Sequence, residues 1–319
     1  MAQVGQLAQA GSPEADAAPS TVRRRTPRQE AWRRFRRNDL ALVGAVIALL
    51  LILVALFAPV LAPYDPTATS IYDKLQPPSA SHPFGTDTLG RDVLSRIIYG
   101  SRVSLEVGLA TIVFAVMIGV PLGAISGYWS GTTLDEVIMR MMDVLIAFPS
   151  LILAIAVMGA LGVKSLELGP LTLPNITKVI FVIGLTLVPR FARVMRSAVL
   201  RERELQYVQA AECVGQSNAR VLIAEIGPNA VVPIIVQATY YLALAILVEA
   251  ALSFLGIGVQ PPTPTWGGML SESRAYLISG EWWYSVFPGL AILITMIAFN
   301  LLGDGLRDAL DPRVGVHGR

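Results

Sequence analysis

The chain has 319 residues, of which 54% are hydrophobic and only 15% charged, with a net charge of +2. Soluble domains carry about 25% charged residues, and the shortfall here lies in long apolar blocks, which excludes an ordinary soluble domain and points to lipid. A single cysteine, Cys213, excludes an intrachain disulfide or a cysteine metal cluster, and His82 and His317 lie too far apart in sequence to mark a histidine site.

Residues 1–38 are polar, aperiodic and rich in Ala, Pro, Ser and Arg. They are expected to form a disordered basic tail. Eight arginines fall between Arg23 and Arg37, with Trp32 and Phe35 among them. Such a pattern suits anionic lipid at headgroup level, and equally a solvated tail. From Leu40 to Tyr64 there is no charged residue, and about 20 apolar residues span a bilayer core. This is the first expected span, and 39–101 is its unit together with the following loop. The loop, 62–101, holds five prolines and ends in Asp92–Tyr99, where Val93, Leu94, Ile97 and Ile98 share a helical face. A short helix lying on the outer surface is expected there.

The next unit, 102–304, is read as a five-helix core. Charge-free blocks at Val107–Ser130, Val144–Val163, Ile226–Val248 and Trp282–Gly303 are each long enough to cross. A further candidate, Val179–Pro189, is short and is followed by Arg190, Arg193 and Arg196, which climb one side of a helix. Arginines there are tolerated if they reach an interface or a watery cavity. Residues 201–229 break the apolar pattern. Tyr207, Ala210, Ala211 and Val214 share a helical face, Gly215 suits a left-handed helix end, and Ser217 or Asn218 suits the cap of a second helix. Gly227-Pro228 is expected to break the chain before the next span. The result is a short helical hairpin, or an ordinary amphipathic loop. Between the last two spans, 259–284 carries Trp266, Trp282, Trp283 and Tyr284, a composition that suits an aromatic belt. Residues 305–319 are read as a C-terminal tail.

Six spans place the N-tail, Arg140, residues 190–225 and the C-tail on one side, which then carries 18 of the 25 lysines and arginines. The positive-inside rule puts that side, and both termini, in the cytoplasm. The fold class is therefore an all-α polytopic membrane protein of about six helices with a cytoplasmic hairpin. No lysine follows a glycine, so there is no phosphate-binding loop, and neither a serine elbow nor a histidine zinc motif is present. Glu106 and Glu249 are the carboxylates placed within spans, both near span ends. Each fits a structural pair with an arginine or hydroxyl better than an ion-coupling site.

Residues 201–229, with Gln209-Ala210-Ala211, Gly215 and Pro228-Asn229, resemble the EAA loop of ATP-binding-cassette importer permeases. The likeness extends to His82–Asp87, Leu89–Arg96, Gly127-Tyr128, Met139-Arg140, Asp143, Ala147-Phe148-Pro149, Glu249–Gly256, Gln260–Pro264, Trp266-Gly267, and Gly303-Asp304 with Leu306-Arg307-Asp308 and Leu310-Asp311-Pro312. Over roughly 32–313 the chain resembles the second, C-type permease of the dipeptide/oligopeptide/nickel family. Gln206, Glu225 and Gly227 depart from the family pattern. The resemblance implies a bacterial or archaeal inner-membrane complex of two permeases, two ATPase subunits that hold ATP and magnesium, and an external solute-binding protein. It implies no cofactor, catalytic residue or nucleic acid on this chain. Tyr207, Ala210, Ala211, Gly215, Arg220 and Pro228 would couple to an ATPase, while Arg190, Arg193, Arg196 and Glu249 would line the pathway. Short peptides are the first expected solute, within a family range that includes nickel chelates, glutathione, opines and oligosaccharides. An ion-coupled transporter or a membrane scaffold stands as the alternative.

Overall fold

The computed structural model describes residues 27–310 apart from 163–164 and 169–170. Residues 1–26 of the expected tail, His317 and the Asp311-Pro312 end of the C-terminal motif lie outside it. Helix α1 (Pro27–Arg37) occupies part of what was expected to be tail. A Glu30–Arg34 ion pair of 2.9 Å bridges one of its turns. Its Phe35 is buried against Ala41, Ala309 and Leu306, so docking orders a stretch whose composition alone reads as disordered. Asn38 then caps α2 (Asp39–Leu56), its side-chain oxygen accepting from the Ala41 amide at 3.1 Å. A one-turn α3 (Ala58–Leu61) follows.

Helix α4 (Val93–Tyr128) has 36 residues and is about 54 Å long at 1.5 Å per residue. The separate surface helix expected at 92–99 is corrected: those residues are the first turns of α4, capped by Asp92, which accepts from the Ser95 amide at 2.7 Å. The third expected span, 144–163, is also corrected. It is split between α5 (Thr133–Ile146) and α6 (Ser150–Leu161), which meet at 90°. Pro149 cannot continue a helix and disfavours helical geometry in Phe148 before it. A short antiparallel ribbon of β1 (Leu166–Leu168) and β2 (Leu171–Leu173), not anticipated in the sequence, leads into α7 (Asn175–Arg203).

Beyond α7 come α8 (Gln206–Cys213), α9 (Asn218–Arg220), a π-helical stretch Val221–Ile226 and α10 (Gly227–Phe254). The expected break at Gly227-Pro228 is not there. The Gly227 amide reaches back to the Leu222 carbonyl, and this wider turn carries the proline ring without a stop. Helices α11 (Trp266–Ser273) and α12 (Trp283–Leu310) complete the fold, so residues 305–310 of the expected tail are helical.

Among the described residues, four helical runs are long and apolar enough to cross a bilayer, namely α2, α4, α9 to α10, and α12; the bent α5–α6 pair makes five. Their outward faces are apolar, as at Val46 and Leu50 on α2, Leu109 and Met117 on α4, and Leu293 and Ile297 on α12. Helix α7 differs in being enclosed. Val179, Ile183, Leu187, Phe191, Met195 and Val199 are buried along its length in the main core cluster. Its tightest neighbour is α4. A methyl group on Gly123 would stand 2.1 Å from the Ala192 carbonyl oxygen, and one on Gly119 or Gly127 would stand 2.6 Å from that of Val188 or 2.8 Å from that of Arg196. Three glycines four residues apart thus let the two backbones touch over about two turns.

Candidate functional site

The hairpin forms as its residues dictate. Helix α8 ends at Gly215, which has φ +78°. The Gly215 amide bonds to Glu212 O at 3.0 Å and the Gln216 amide to Ala211 O at 3.2 Å, the paired closure typical of a glycine helix end. A side chain at Gly215 would meet open space, so the backbone conformation alone demands glycine. Ser217 stands at the cap of α9 without a side-chain capping bond. One expectation is corrected. Ala211 does not point outward with Tyr207, Ala210 and Val214; it is 8% exposed and, with Val208, packs into the core. The exposed face carries Leu205, Ala210, Val214 and Arg220, with Tyr207 at its margin.

Tyr207 ties the hairpin to both flanking helices. Its hydroxyl donates to Glu202 on α7 at 2.9 Å and accepts from the Asn229 amide on α10 at 3.1 Å. Burial, then the Glu202 carboxylate that takes its hydrogen bond, raises the phenol above its ordinary pKa. Tyr128, the last residue of α4, reaches the same region. Its hydroxyl lies 3.2 Å from Asn218 Oδ1 and 3.4 Å from Glu212 Oε1. Arg203 of α7 donates to the Tyr128 carbonyl at 2.6 Å and sets its guanidinium 5.4 Å from the ring centroid. A polar cavity of about 410 Å³ lies beside them, lined also by Trp129, Thr132 and Gln216.

The three arginines of α7 meet three different partners. Arg190 lies 5.4 Å above the Tyr241 ring. Arg193 pairs with Asp143 of α5 at 2.6 Å, both half-exposed. Arg196 holds Asp135 through Nε at 2.9 Å and Nη2 at 2.8 Å, and Ser126 of α4 and the Gly131 amide bond the same carboxylate. Arg193 also edges a groove of about 300 Å³ with Ser197, Arg201 and Pro233. Glu249 is 0% exposed; its carboxylate accepts from Ser253 at 2.7 Å and Ser104 at 3.3 Å. In this chain it joins α4 to α10 and reaches no surface. Glu106 is exposed.

The far end of the helices holds a charged cluster that sequence reading missed. Asp87 accepts from Arg91 at 2.6 Å and from Arg96; Glu272 accepts from Arg91 and Arg96 at 2.7 Å each and from Tyr284 at 2.8 Å. Burial alone would raise the Glu272 carboxyl, but the hydrogen bond and charge of Arg96, with Arg91 behind, hold it below the usual carboxylate range. The Asp87-Arg91 spacing hinted at a pair, whereas Glu272 lies about 180 residues away and left no local signal. The aromatic belt expected nearby is corrected too. Trp266, Trp283 and Tyr284 are buried, with Trp266 Nε1 donating to Ile97 O at 3.1 Å, and Trp282 is half-exposed. Among the described residues, no group of three or more His, Cys, Asp or Glu side chains stands ready to hold a metal ion.

Two family profiles match the sequence. Residues 119–316 match the binding-protein-dependent transport system inner membrane component, and residues 26–78 match the N-terminal TM domain of oligopeptide transport permease C. Among curated relatives, the dipeptide transport system permease protein of Alkalihalophilus pseudofirmus is 43% identical over 91% of both chains. The di/tripeptide transport system permease protein of Pseudomonas aeruginosa is 43% identical, over 91% of this chain and 93% of its own. The glutathione transport system permease protein of Pectobacterium atrosepticum is 41% identical, over 91% and 92%.

Proposed function

We infer function from family: this chain belongs to the binding-protein-dependent transport system inner membrane components, and it is a C-type permease subunit of an ABC importer. We propose that its solutes are short peptides or peptide-like molecules. The names of the relatives support this, since dipeptides, tripeptides and glutathione share an amide backbone with charged ends.

In this reading a second permease forms the other half of the pathway, two cytoplasmic ATPase subunits supply ATP hydrolysis with magnesium, and an external protein delivers the solute. Both termini lie in the cytoplasm, and α7 is a sixth span whose arginines are each met by an aromatic ring or a carboxylate. The carrying observation is the hairpin. Its helices flank a glycine hinge, its inner face is packed into the core, and its outer face of Leu205, Ala210, Val214 and Arg220 is exposed among the described residues. Such a face suits the groove of a partner. Movement of the hairpin with ATP-driven dimerisation would bias two states of the pathway.

The test is uptake by the reconstituted complex. Dipeptide accumulation in proteoliposomes should need enclosed ATP and binding protein, and should survive collapse of ion gradients. Accumulation without ATP that an ionophore abolishes would instead establish an ion-coupled transporter. If dipeptides fail but another solute class is taken up with ATP, the peptide assignment falls and the importer remains.

A further inference from the structure

We propose that Tyr128 is the joint through which the α8–α9 hairpin moves the α4–α7 pair, a positioning role for a residue that need touch neither nucleotide nor solute. The proposal rests on the reading of the hairpin as the ATPase-docking element.

Four elements converge on this side chain. It ends α4, and the Arg203 guanidinium of α7 covers its ring and donates to its carbonyl at 2.6 Å. Its hydroxyl meets Glu212 on α8 and Asn218 on α9. Those two residues flank Gly215, so the single phenol proton, shared between two acceptors, links both arms of the hinge. Among the described residues, the hydrogen bonds that leave the hairpin for α4 both end on this hydroxyl. Tyr207 anchors the hairpin to α7 and α10 through Glu202 and Asn229, which leaves Tyr128 as its polar tie to α4, while Val208 and Ala211 add apolar packing that resists separation but fixes direction poorly.

What the joint moves is stiff. The glycine contacts of α4 with α7 leave no room for sliding without backbone clash. Near the same end, Ser126 of α4 and Arg196 of α7 share the Asp135 carboxylate. A displacement delivered at Tyr128 therefore shifts both helices together. The polar cavity of about 410 Å³ beside it, and the open space around Gly215, leave the hairpin room to turn.

Tyr128→Phe keeps the ring, the Arg203 contact and the helix end while removing the hydroxyl. In the complete complex in proteoliposomes, the variant should melt like wild type, retain its ATPase subunits and hydrolyse ATP within about twofold of wild type. Solute moved per ATP should fall about tenfold, the scale of one charge-assisted hydrogen bond. A role confined to folding would lower melting and leave that ratio unchanged. Glu212→Gln and Asn218→Ala approach the joint from the hairpin and should lower the same ratio. A wild-type ratio in Tyr128→Phe overturns the proposal; if that variant folds poorly, wild-type ratios in both hairpin variants overturn it. Ala210→Trp reads the underlying docking separately. If it leaves ATPase co-purification intact, the docking surface is elsewhere and the joint falls with it, whereas lost co-purification beside a wild-type Tyr128→Phe ratio sinks the joint alone.

Discussion

Arg96 near the start of α4, and Arg193 and Arg196 near the end of α7, are each met by a compensating group. Arg190, Arg193 and Arg196 follow one another at intervals of three, yet each is met by a different group: an aromatic face, an exposed carboxylate and a buried one. The most enclosed compensation is at the other end, where Asp87 and Glu272 face Arg91 and Arg96. Removing one carboxylate leaves the two arginines sharing the other, a net positive charge in a mostly enclosed site that destabilises the fold. Glu272→Ala should therefore lower the melting temperature of the purified protein by several degrees, and Asp87→Ala should do likewise. The cluster also sets a pH dependence. The folded Glu272 carboxyl is depressed relative to its unfolded value of about 4.3. Its contribution is thus full above pH about 4.3 and is lost as pH falls from there through the folded value. Melting followed from pH 7 to pH 3 should decline at the acid end in wild type, and less steeply in Glu272→Gln. A flat acid limb in wild type would remove the cluster from the stability of the fold.

At the scale of elements, the hairpin shows how far sequence periodicity reaches. The end of α8, the left-handed Gly215 and the position of the next helix were all legible, because backbone chemistry fixes them locally. Which side of α8 faces the core was misread by one position. Val208 with Ala211 is buried, and Ala210 with Val214 is not. Two alanines in a row carry no information about which faces inward; only the packing partner decides. The apolar spans were legible for the opposite reason, since a bilayer imposes a long charge-free run on any helix facing it. The broken α5–α6 pair was hidden inside such a run, although Pro149 marked the place. The Glu272 contacts were illegible, because no local pattern ties residues so far apart. The corrected face gives a sharp contrast. Ala211→Trp should destabilise the chain by about 1–3 kcal/mol through overpacking, seen as a lower melting temperature. Ala210→Trp should melt like wild type yet lose its ATPase partner on co-purification. Gly215→Val should strain the hinge by about 1–2 kcal/mol without touching a span. Equal melting of the two tryptophan variants would show that α8 turns on its axis.

For the whole molecule, the open quantity is how many times the chain crosses. Among the described residues hydropathy and length give four or five crossings, and α7 is not one of them. A helix buried on nearly all sides by other helices has no need of a lipid-compatible surface, and at 29 residues, about 44 Å, it is long enough to cross. Counting it as a span also puts 18 of 25 basic residues on one side. The chain supplies its own probe, because Cys213 is its single cysteine and is exposed on α8. If α7 and α10 both cross, Cys213 faces the cytoplasm between two external segments. A membrane-impermeant thiol reagent should then leave Cys213 unlabelled in intact cells and label it in inverted vesicles. In a Cys213→Ser background, Ser165→Cys before α7 and Thr263→Cys after α10 should show the reverse, since both positions are exposed. Labelling of Ser165→Cys on the same side as Cys213 would mean that α7 does not cross. The basic residues of 190–220 would then need a different explanation, and the five-span count would stand.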